Sequence, residues 1–174
     1  MTEPGIAFRP ISRADVDEWY LAMVNSAEAL GAHNWGGGTR SRRELIGRLG
    51  AHLDGHHGEL VVEVDGEVAG TVSWRYQRWG PNARSWCPAI GIALLPGHRG
   101  RGLGSAAQRA LAAHLFERFD INRVEADTAS DNVAEQRALE KAGFTQEGVL
   151  RGCEWRDGRW HDHLLYSMLR DDAR

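Results

Sequence analysis

Residues 94–111, LLPGHRGRGLGSAAQRAL, contain three glycines at alternate positions directly before an alanine-rich segment. Glycine loses more conformational entropy on folding than any other residue, so this placement predicts a loop whose backbone is closely approached by a ligand. A glycine-rich loop between a strand and a helix also presents N–H groups without helical partners and the positive end of the helix dipole. Arg99 and Arg101 add charged donors. The stretch therefore predicts an anion site, and we expect a pyrophosphate there.

The rest of the chain predicts strands and helices on both sides of this loop. Asp65-Gly66 and Asp157-Gly158 each separate two segments typical of strands, which indicates hairpins. Ser12 or Asp15 is predicted to cap the first helix. In chain order the pattern predicts a strand at 6–11, helices at 12–24 and 41–53, a hairpin around 65–66, a strand ending at 96, a helix at 104–119, a strand at 122–129, a helix at 132–143 and a hairpin around 157–158. This order is typical of a mixed sheet with helices packed on it.

The size and composition limit the classes of protein that the chain can belong to. Its 174 residues predict one domain spanning 1–174, with 42% apolar and 26% charged residues. A net charge of −3 and a pI near 6.2 argue against a nucleic-acid partner. Two cysteines, Cys87 and Cys153, favour free thiols in a reducing compartment. The chain has neither a signal-peptide pattern nor an apolar run of membrane-spanning length, so we expect a cytoplasmic protein with no membrane partner.

Two other phosphate-binding loops compete with this interpretation. A P-loop is excluded because the Gly-Lys-Ser/Thr ending is missing. A dinucleotide-binding loop is a closer rival, since Gly102, Gly104 and Ala107 fit G-x-G-x-x-A and Glu125 follows at about the expected distance. The turn before Gly102 is too long for that loop, however, and the chain after Glu125 lacks room for a second mononucleotide-binding half.

The loop and the segment after it match a known family signature. Residues 99–104, RGRGLG, fit R/Q-x-x-G-x-G/A, and Asn132 and the run KAGF at 141–144 follow at the spacing of the family. On these residues the chain resembles the GCN5-related N-acetyltransferases, the GNAT family, in the branch that includes ribosomal-protein N-terminal (alanine) acetyltransferases. The resemblance implies an α/β fold of the mixed α+β kind, the acyl-CoA N-acyltransferase fold. Its central, mostly antiparallel sheet has splayed fourth and fifth strands and carries about four helices.

The same resemblance implies a co-substrate and the residues that bind it. Acetyl-CoA is expected in the gap between the splayed strands, with its pantetheine arm on the fourth strand and its pyrophosphate in the glycine loop. The residues implied for this role are Ile92, Ala93, Leu94, Arg99, Gly100, Arg101, Gly102, Leu103, Gly104, Ser105 and Asn132. An amine is expected to attack the thioester directly in a ternary complex, without a metal, and the N–H of Leu94 is placed to stabilise the oxyanion.

The groups that move protons are less defined. Glu135 stands three residues after Asn132, so it is either a capping-box residue or a catalytic carboxylate near the thioester. Asp127, near the end of the fifth strand, is either a base or a turn former. Many relatives carry serine where Glu135 stands, and the tyrosine that other branches use as the thiol acid aligns with Leu139. The strand before the loop contains no carboxylate to act as a base.

The acceptor is expected to be a primary amine, and its identity stays open among a protein or peptide N-terminus, an amine metabolite and an antibiotic. The residues expected to contact it are Glu28, Trp35, Trp74 and His163, each of which has a plain structural role as its alternative. His161 and His163 share one face of a strand, but the sequence shows no third metal ligand. A non-catalytic acyl-CoA-binding sensor with the same fold is the second hypothesis, and a homodimer is possible by analogy with family members.

Overall fold

The computed structural model describes residues 5–26, 40–49 and 56–173. Its strands are β1 (Ile6–Pro10), β2 (His57–Val64), β3 (Glu67–Arg78), β4 (Trp86–Leu94), β5 (Arg123–Ala129), β6 (Thr145–Arg156) and β7 (Arg159–Leu169). Its helices are α1 (residues 13–24), α2 (Arg42–Arg48), α3 (Leu103–Arg118) and α4 (Val133–Ala142), with a 3-10 turn at Pro96–His98 before the glycine loop. Among the described residues, no helix is both long and apolar enough to cross a membrane.

The two helices near the N-terminus begin at capping boxes. Ser12 caps α1 and Ser41 caps α2, each reciprocated by a carboxylate three residues later. Helix α1 is α-helical at both ends and has a π-helical turn at Val16–Tyr20. The prediction that α2 runs to about residue 53 is wrong at its end, because Leu49 already has an extended backbone.

The strands form one sheet in the order β1-β2-β3-β4-β5-β7-β6. Neighbouring strands are antiparallel except β4 and β5, which run parallel and are paired only at Ala89–Glu125 and Ile90–Ala126. Beyond these two pairs the strands separate, which confirms the expected splay. The last strand, β7, lies between β5 and β6 and pairs with both.

The core lies mainly between the sheet and helices α3 and α4. Ala107, Leu111 and Leu115, spaced four residues apart on α3, are fully buried there. A second apolar cluster, with Val16 and Leu45 at its centre, packs α1 and α2 near Ala93 and Leu95 on β4 and just after it.

Both predicted hairpin turns are present. Asp65 and Asp157 have φ of 52° in each case, and the glycines that follow them also have positive φ. The second turn sets the pairing of β6 with β7, placing Glu154 opposite His161 and Trp155 opposite Trp160. The register of β6 against β7 shifts between Leu150 and Glu154.

Candidate active site

A cleft of about 690 Å³ opens where β4 and β5 separate. One part of it, the loop end, is lined by the last residues of β4, the glycine loop and the start of α4. The other part, the carboxylate end, is lined by side chains from β2, β3, β6 and β7. The lining residues that carry the argument below are Ile92, Leu94, Arg99, Gly100, Gly102, Gly104, Ser105, Asn132 and Glu135 at the loop end, and Glu59, Thr71, Ser73, Glu154 and His163 at the carboxylate end.

The backbone of β4 turns toward the gap at the loop end. The N–H of Leu95 donates to the carbonyl of Ala69 on the β3 side, at 2.9 Å. Because backbone groups of successive strand residues point to opposite sides, the N–H and C=O of Leu94 and Ile92 point away from β3 and toward β5. The carbonyl of Leu94 accepts a hydrogen bond from Arg99 Nε at 2.8 Å, in agreement with this direction. These backbone groups are placed to pair with an extended arm of a ligand.

Gly70 fixes how closely β3 and β4 approach at this point. It has φ of +149°, and a Cβ added to it would lie 2.1 Å from the carbonyl oxygen of Ala93. No side chain fits in that distance. Gly70 therefore allows β3 to lie close to Ala93 and Leu94 at the end of β4.

The glycine loop has the conformation that an anion site needs. Gly100 and Gly102 have φ of +70° and +79°, and a Cβ added to either would meet nothing within 4 Å. Glycine adopts these angles at the least cost of any residue, and the space beside each backbone is open. Gly102 precedes α3 and provides no side-chain cap, so the first N–H groups of α3 keep the donors that a pyrophosphate can accept.

The residues of this loop differ in what they offer. Both arginines are exposed, but Arg99 lines the cleft and Arg101 does not. The side chain of Leu103 belongs to the core, with 4% exposure, so this residue can serve a ligand only through its backbone. The prediction of two arginines beside the phosphates is therefore supported by position for Arg99 alone.

Glu135 lies at the loop end in an unusual environment. Its N–H donates to Asn132 Oδ1 at 3.3 Å, so Asn132 caps α4 as predicted. The N–H of Asn132 bonds to Ala129 and not to the Glu135 carboxylate, so the expected reciprocal half of the capping box is not formed. Burial raises the pKa of Glu135 to about 7, and a hydrogen bond with the Gln108 side chain opposes part of that rise. The side chain is thus a carboxylic acid that titrates near neutrality and lines the cleft.

At the carboxylate end, one histidine joins two carboxylates. His163 is 1% exposed, and its Nδ1 lies 2.8 Å from Asp127 Oδ2. Its Nε2 lies 3.1 Å from Glu154 Oε2 on the cleft side. Asp127 is held behind the ring by Arg75, at 3.0 Å, and is not itself a lining residue. If Asp127 takes part in catalysis, it acts through His163.

Glu59 adds a second carboxylate to the same end of the cleft. It accepts a hydrogen bond from the hydroxyl of Tyr20 at 2.7 Å, which ties β2 to α1. The hydroxyl residues Thr71 and Ser73 on β3 line the cleft beside it. Carboxylates and hydroxyls of this kind suit a cationic ligand that also donates hydrogen bonds.

The other predicted contacts with an acceptor are placed differently. Trp74 is 5% exposed and belongs to the main core, so its position does not support an acceptor role. Glu28 and Trp35 lie outside the described residues. The ring of His161 contacts Arg156 and does not line the cleft. In the part of the chain that the structure describes, no three His, Cys, Asp or Glu side chains are arranged to hold a metal ion.

The rival interpretation of Glu125 as a ribose-binding residue is wrong. Its side chain is buried, with Oε1 at 2.6 Å from both Arg123 Nε and the Trp79 indole nitrogen. Glu125 therefore forms an ion pair with Arg123 on the sheet.

Sequence reasoning missed Glu59, Glu154 and Gln108. For Glu154 a signal was available, since a two-residue turn at Asp157-Gly158 already pairs Glu154 with His161, on the same face as His163. For Glu59 and Gln108 we find no local signal, because each is an ordinary polar position of a strand or helix until the fold brings it to the cleft.

A model of the acetyltransferase (GNAT) domain family matches residues 6–145. Among curated proteins, "Probable N-acetyltransferase YjcK" of Bacillus subtilis (strain 168) is 35% identical over 117 residues. That match covers 67% of this chain and 63% of the relative, so the chain spans somewhat less than two thirds of the relative's length.

Two solved structures share the fold over nearly the whole of both chains. The spermidine N-acetyltransferase from Vibrio cholerae, in complex with CoA and spermine, has a TM-score of 0.82 at 19% identity and covers 97% of each chain. RimL, a ribosomal L7/L12 alpha-N-protein acetyltransferase in complex with coenzyme A, has a TM-score of 0.80 at 22% identity and covers 98% of this chain and 97% of its own. At these identities the likeness shows the fold alone.

Proposed function

The chain belongs to the GNAT acetyltransferase family, and from this premise we propose that it transfers the acetyl group of acetyl-CoA directly to a primary amine bound at the carboxylate end of the cleft. The observation that carries the proposal is the coincidence of two features at the loop end. The β4 backbone turns into the gap at Leu94, and the glycine loop leaves open space beside its backbone at Gly100 and Gly102. Pantetheine and pyrophosphate are joined in one molecule, and these two features lie in one cleft.

The residues of the cleft supply the parts that acyl transfer needs. Acetyl-CoA brings a thioester, whose carbonyl carbon is open to attack by a neutral amine. The N–H of Leu94 is directed into the gap and stabilises negative charge that develops on the carbonyl oxygen. Glu135, whose pKa is raised by burial to about 7, donates a proton to the departing sulfur. Tyrosine, the acid of other branches, is replaced by the buried Leu139, which leaves this role to another group.

The proposed acceptor is an amine that arrives as a cation. Glu59 and Glu154 present carboxylates, and Thr71 and Ser73 present hydroxyls, at the end of the cleft away from the glycine loop. Such a lining attracts an ammonium group and positions its nitrogen. Two proteins with the same fold are named for amine acceptors of different size, spermidine in one case and a protein N-terminus in the other. Both sizes of acceptor are therefore included in the test.

The experiment is a measurement of free thiol released from acetyl-CoA in the presence of single acceptors. The panel contains spermidine, a short peptide with an open N-terminus and an aminoglycoside, and each is paired with its N-acetylated form as the matched control. We expect thiol release with at least one amine and with none of the blocked controls. Tight CoA binding without thiol release for any acceptor would support the sensor hypothesis, and a failure to bind CoA would overturn the assignment of the cleft.

A further inference from the structure

A row of short side chains crosses the sheet from β2 to the gap beside β4. Glu59 on β2 is opposite Ser73 on β3, and Ser73 is opposite Gly91 on β4. Two residues along, on the same face, Thr71 is opposite Ala93. All five residues line the cleft, and a Cβ added to Gly91 would lie 3.3 Å from Ser73 Oγ. The side chains between Glu59 and the gap therefore form a low floor that an extended ligand can cross.

Helix α1 contributes apolar atoms to the same passage. Met23 and Val24 line the cleft, and Met23 is buried. Met23 also belongs to the apolar cluster that packs against Ala93 on the floor. A chain of methylene groups in this passage contacts apolar atoms of α1 and the short side chains of β3 and β4, and a carboxylate stands at the far end of the passage.

The charge of Glu59 is not matched by a cation within the described portion of the chain. Glu59 Oε2 accepts a hydrogen bond from the hydroxyl of Tyr20 at 2.7 Å. Burial raises the pKa of Tyr20, so this partner is neutral. Arg40 and Arg48 are near enough to act on the charge of Tyr20, but neither forms an ion pair with Glu59. An ammonium group that reaches Glu59 therefore finds an unmatched negative charge.

The other carboxyl groups that line the cleft are placed differently. Glu154 Oε2 lies 3.7 Å from Arg156 Nη1, so its charge already has a cationic partner. Glu135 stands at the loop end, where burial raises its pKa to about 7. Neither group offers an entering cation the same gain as Glu59.

The distance between Glu59 and the gap sets the length of the ligand. Neighbouring strands lie about 4.8 Å apart, so β2 is about 10 Å from β4. The thioester is expected just beyond β4, on the side of β5, and an ammonium group stands in front of the Glu59 carboxylate. The two nitrogens of a ligand that reaches both points are then about 8–12 Å apart. An extended carbon chain advances about 1.25 Å per bond, so about six to eight methylene groups separate the nitrogens.

We propose that the acceptor is an aliphatic amine with a second cationic group, and that Glu59 binds this second group while the first amine reacts at the gap. This inference rests on the proposed function and names its substrate class. The lone pair of the neutral reacting nitrogen forms the bond to the carbonyl carbon, and the carbon–sulfur bond breaks with its electron pair on sulfur. The proton that nitrogen loses ends on that sulfur. The remote ammonium is unchanged, so the product keeps one cation and can no longer place a cation at each end of the passage.

The kinetic test uses acceptors of equal length, namely 1,7-diaminoheptane, 7-amino-1-heptanol and 7-aminoheptanoic acid. The second ammonium of the diamine is replaced by a neutral hydroxyl in the amino alcohol and by a carboxylate in the amino acid. From the rate of thiol release, we expect kcat/KM to be at least about tenfold higher for the diamine than for the amino alcohol, as for one charged hydrogen bond, after correction for the two identical ends. The amino acid should be the poorest acceptor. Equal values for the diamine and the amino alcohol would overturn the proposal.

Shorter and substituted ligands test the span. The diamine 1,4-diaminobutane is too short to reach both points, so it should have no advantage over 4-amino-1-butanol. N-acetyl-1,7-diaminoheptane has lost one cation and should react with a kcat/KM at least about tenfold below that of the diamine. An advantage of the short diamine as large as that of the long one would contradict the distance between the two points.

Glu59→Gln tests the residue itself, since it keeps the shape of the side chain and removes the charge. We expect its preference for the diamine over the amino alcohol to fall below about threefold, because a neutral amide forms only an uncharged hydrogen bond with the ammonium. The matched control is Glu67→Gln, which removes an equal charge from an exposed residue of β3 that does not line the cleft. The control should keep the preference of the wild type. A preference that persists in Glu59→Gln would show that another group binds the second cation.

A binding measurement separates this inference from the proposed reaction. Calorimetric titration of the wild-type complex with CoA, which has no acetyl group to transfer, gives the Kd of each acceptor without turnover. We expect the diamine to bind at least about tenfold more tightly than the amino alcohol. If this result holds and no amine releases thiol from acetyl-CoA, the proposed reaction fails and the site for the second cation stands. If thiol is released equally with all acceptors of the same length, the reaction stands and the site for the second cation is wrong.

Discussion

The two ends of the cleft bind by different means. At the loop end the recognition groups belong to the backbone, namely the turned strand at Leu94 and the glycines at 100 and 102. At the carboxylate end they belong to side chains from four strands, including Glu59, Glu154 and His163. Backbone recognition depends on angles that few residues adopt, whereas side-chain recognition depends on single functional groups. Substitutions at the first end should therefore abolish binding of one fixed ligand, and substitutions at the second should change the choice of ligand.

The largest effect is expected at Gly102. Gly102→Asp places a negative charge in the open space beside the loop, and Gly102→Asn places a neutral group of the same size, which tolerates the same backbone angle. We expect the Asp variant to lose at least a hundredfold in affinity for CoA, since charged hydrogen bonds contribute about 1.5–3 kcal/mol each. The Asn variant should lose clearly less. Calorimetric titration with CoA makes the measurement, and equal affinities for both variants and the wild type would remove the pyrophosphate from this loop.

The next effect concerns the pH dependence of stability, and it arises from a side chain at the loop end of the cleft. Burial raises the pKa of Glu135 to about 7, above its ordinary value of 4.5, so the folded protein prefers the neutral acid. Below pH 4.5 the group is neutral in both states and costs nothing. Between pH 4.5 and 7 the carboxyl ionises in the unfolded chain but stays mostly neutral in the folded protein, so the free energy of unfolding falls as the pH rises. Above pH 7 the loss of stability is complete and amounts to about 1–3 kcal/mol. Glu135→Gln removes this cost.

Thermal unfolding of Glu135→Gln and wild type checks this sign. We expect the two Tm values to agree near pH 4 and the variant to be the more stable at pH 8.5. A variant that is less stable at pH 8.5 would show that the Glu135 carboxylate is needed in its ionised form.

A smaller effect is expected at Glu59, and it should fall on the acceptor alone. Glu59→Gln keeps the shape of the side chain and its hydrogen bond with Tyr20 but removes the negative charge. We expect KM for a cationic amine to rise about tenfold, in the range of one charged hydrogen bond, with the Kd for CoA unchanged. Tyr20→Phe, which removes only the hydroxyl, is the control. A parallel loss of CoA affinity would contradict the division of the cleft into two independent ends.

The smallest effect is expected at Lys141, an exposed residue of α4 that lines the loop end. Its ammonium group is suited to the 3′-phosphate of CoA, but exposed ion pairs contribute only about 0.2–1 kcal/mol. We expect Lys141→Ala to lose about twofold to fivefold in affinity for CoA at low salt, and nothing for dephospho-CoA. Losses of equal size for both ligands would place Lys141 away from that phosphate.

The same contrast explains how much could be predicted from the sequence. The loop end is local, since β4, the glycines and α3 follow one another within about 30 residues. Local backbone signals therefore identified the loop, whereas the splay of the strands was implied only by the family resemblance. The carboxylate end joins residues from 59 to 163, which only the sheet order brings together. The position of Trp74 does not support its predicted contact with the acceptor. The sequence around it does not distinguish a buried indole from one that lines a cleft.

Glu135 shows a different limit of prediction from sequence. Its spacing from Asn132 correctly predicted a helix start, and the same spacing predicted a hydrogen bond that is not formed. The outcome depends on Gln108, which lies on another helix and offers the carboxyl an alternative partner. A local pattern cannot contain that competition, because the competitor is 27 positions away in the chain.

The narrow pairing between β4 and β5 has a consequence for the lifetime of the native state. Only Ala89–Glu125 and Ile90–Ala126 join the two parts of the sheet by strand pairing, and the core beneath α3 and α4 holds the rest. The amide protons of Ile92 and Leu94 therefore face an open gap, where β5 does not pair with them and does not protect them from exchange with solvent. A ligand arm paired with this backbone acts as a missing strand, so it slows that exchange and adds its binding free energy to folding. We therefore expect saturating CoA to slow both the exchange of these two amide protons and the cleavage of the chain by an added protease.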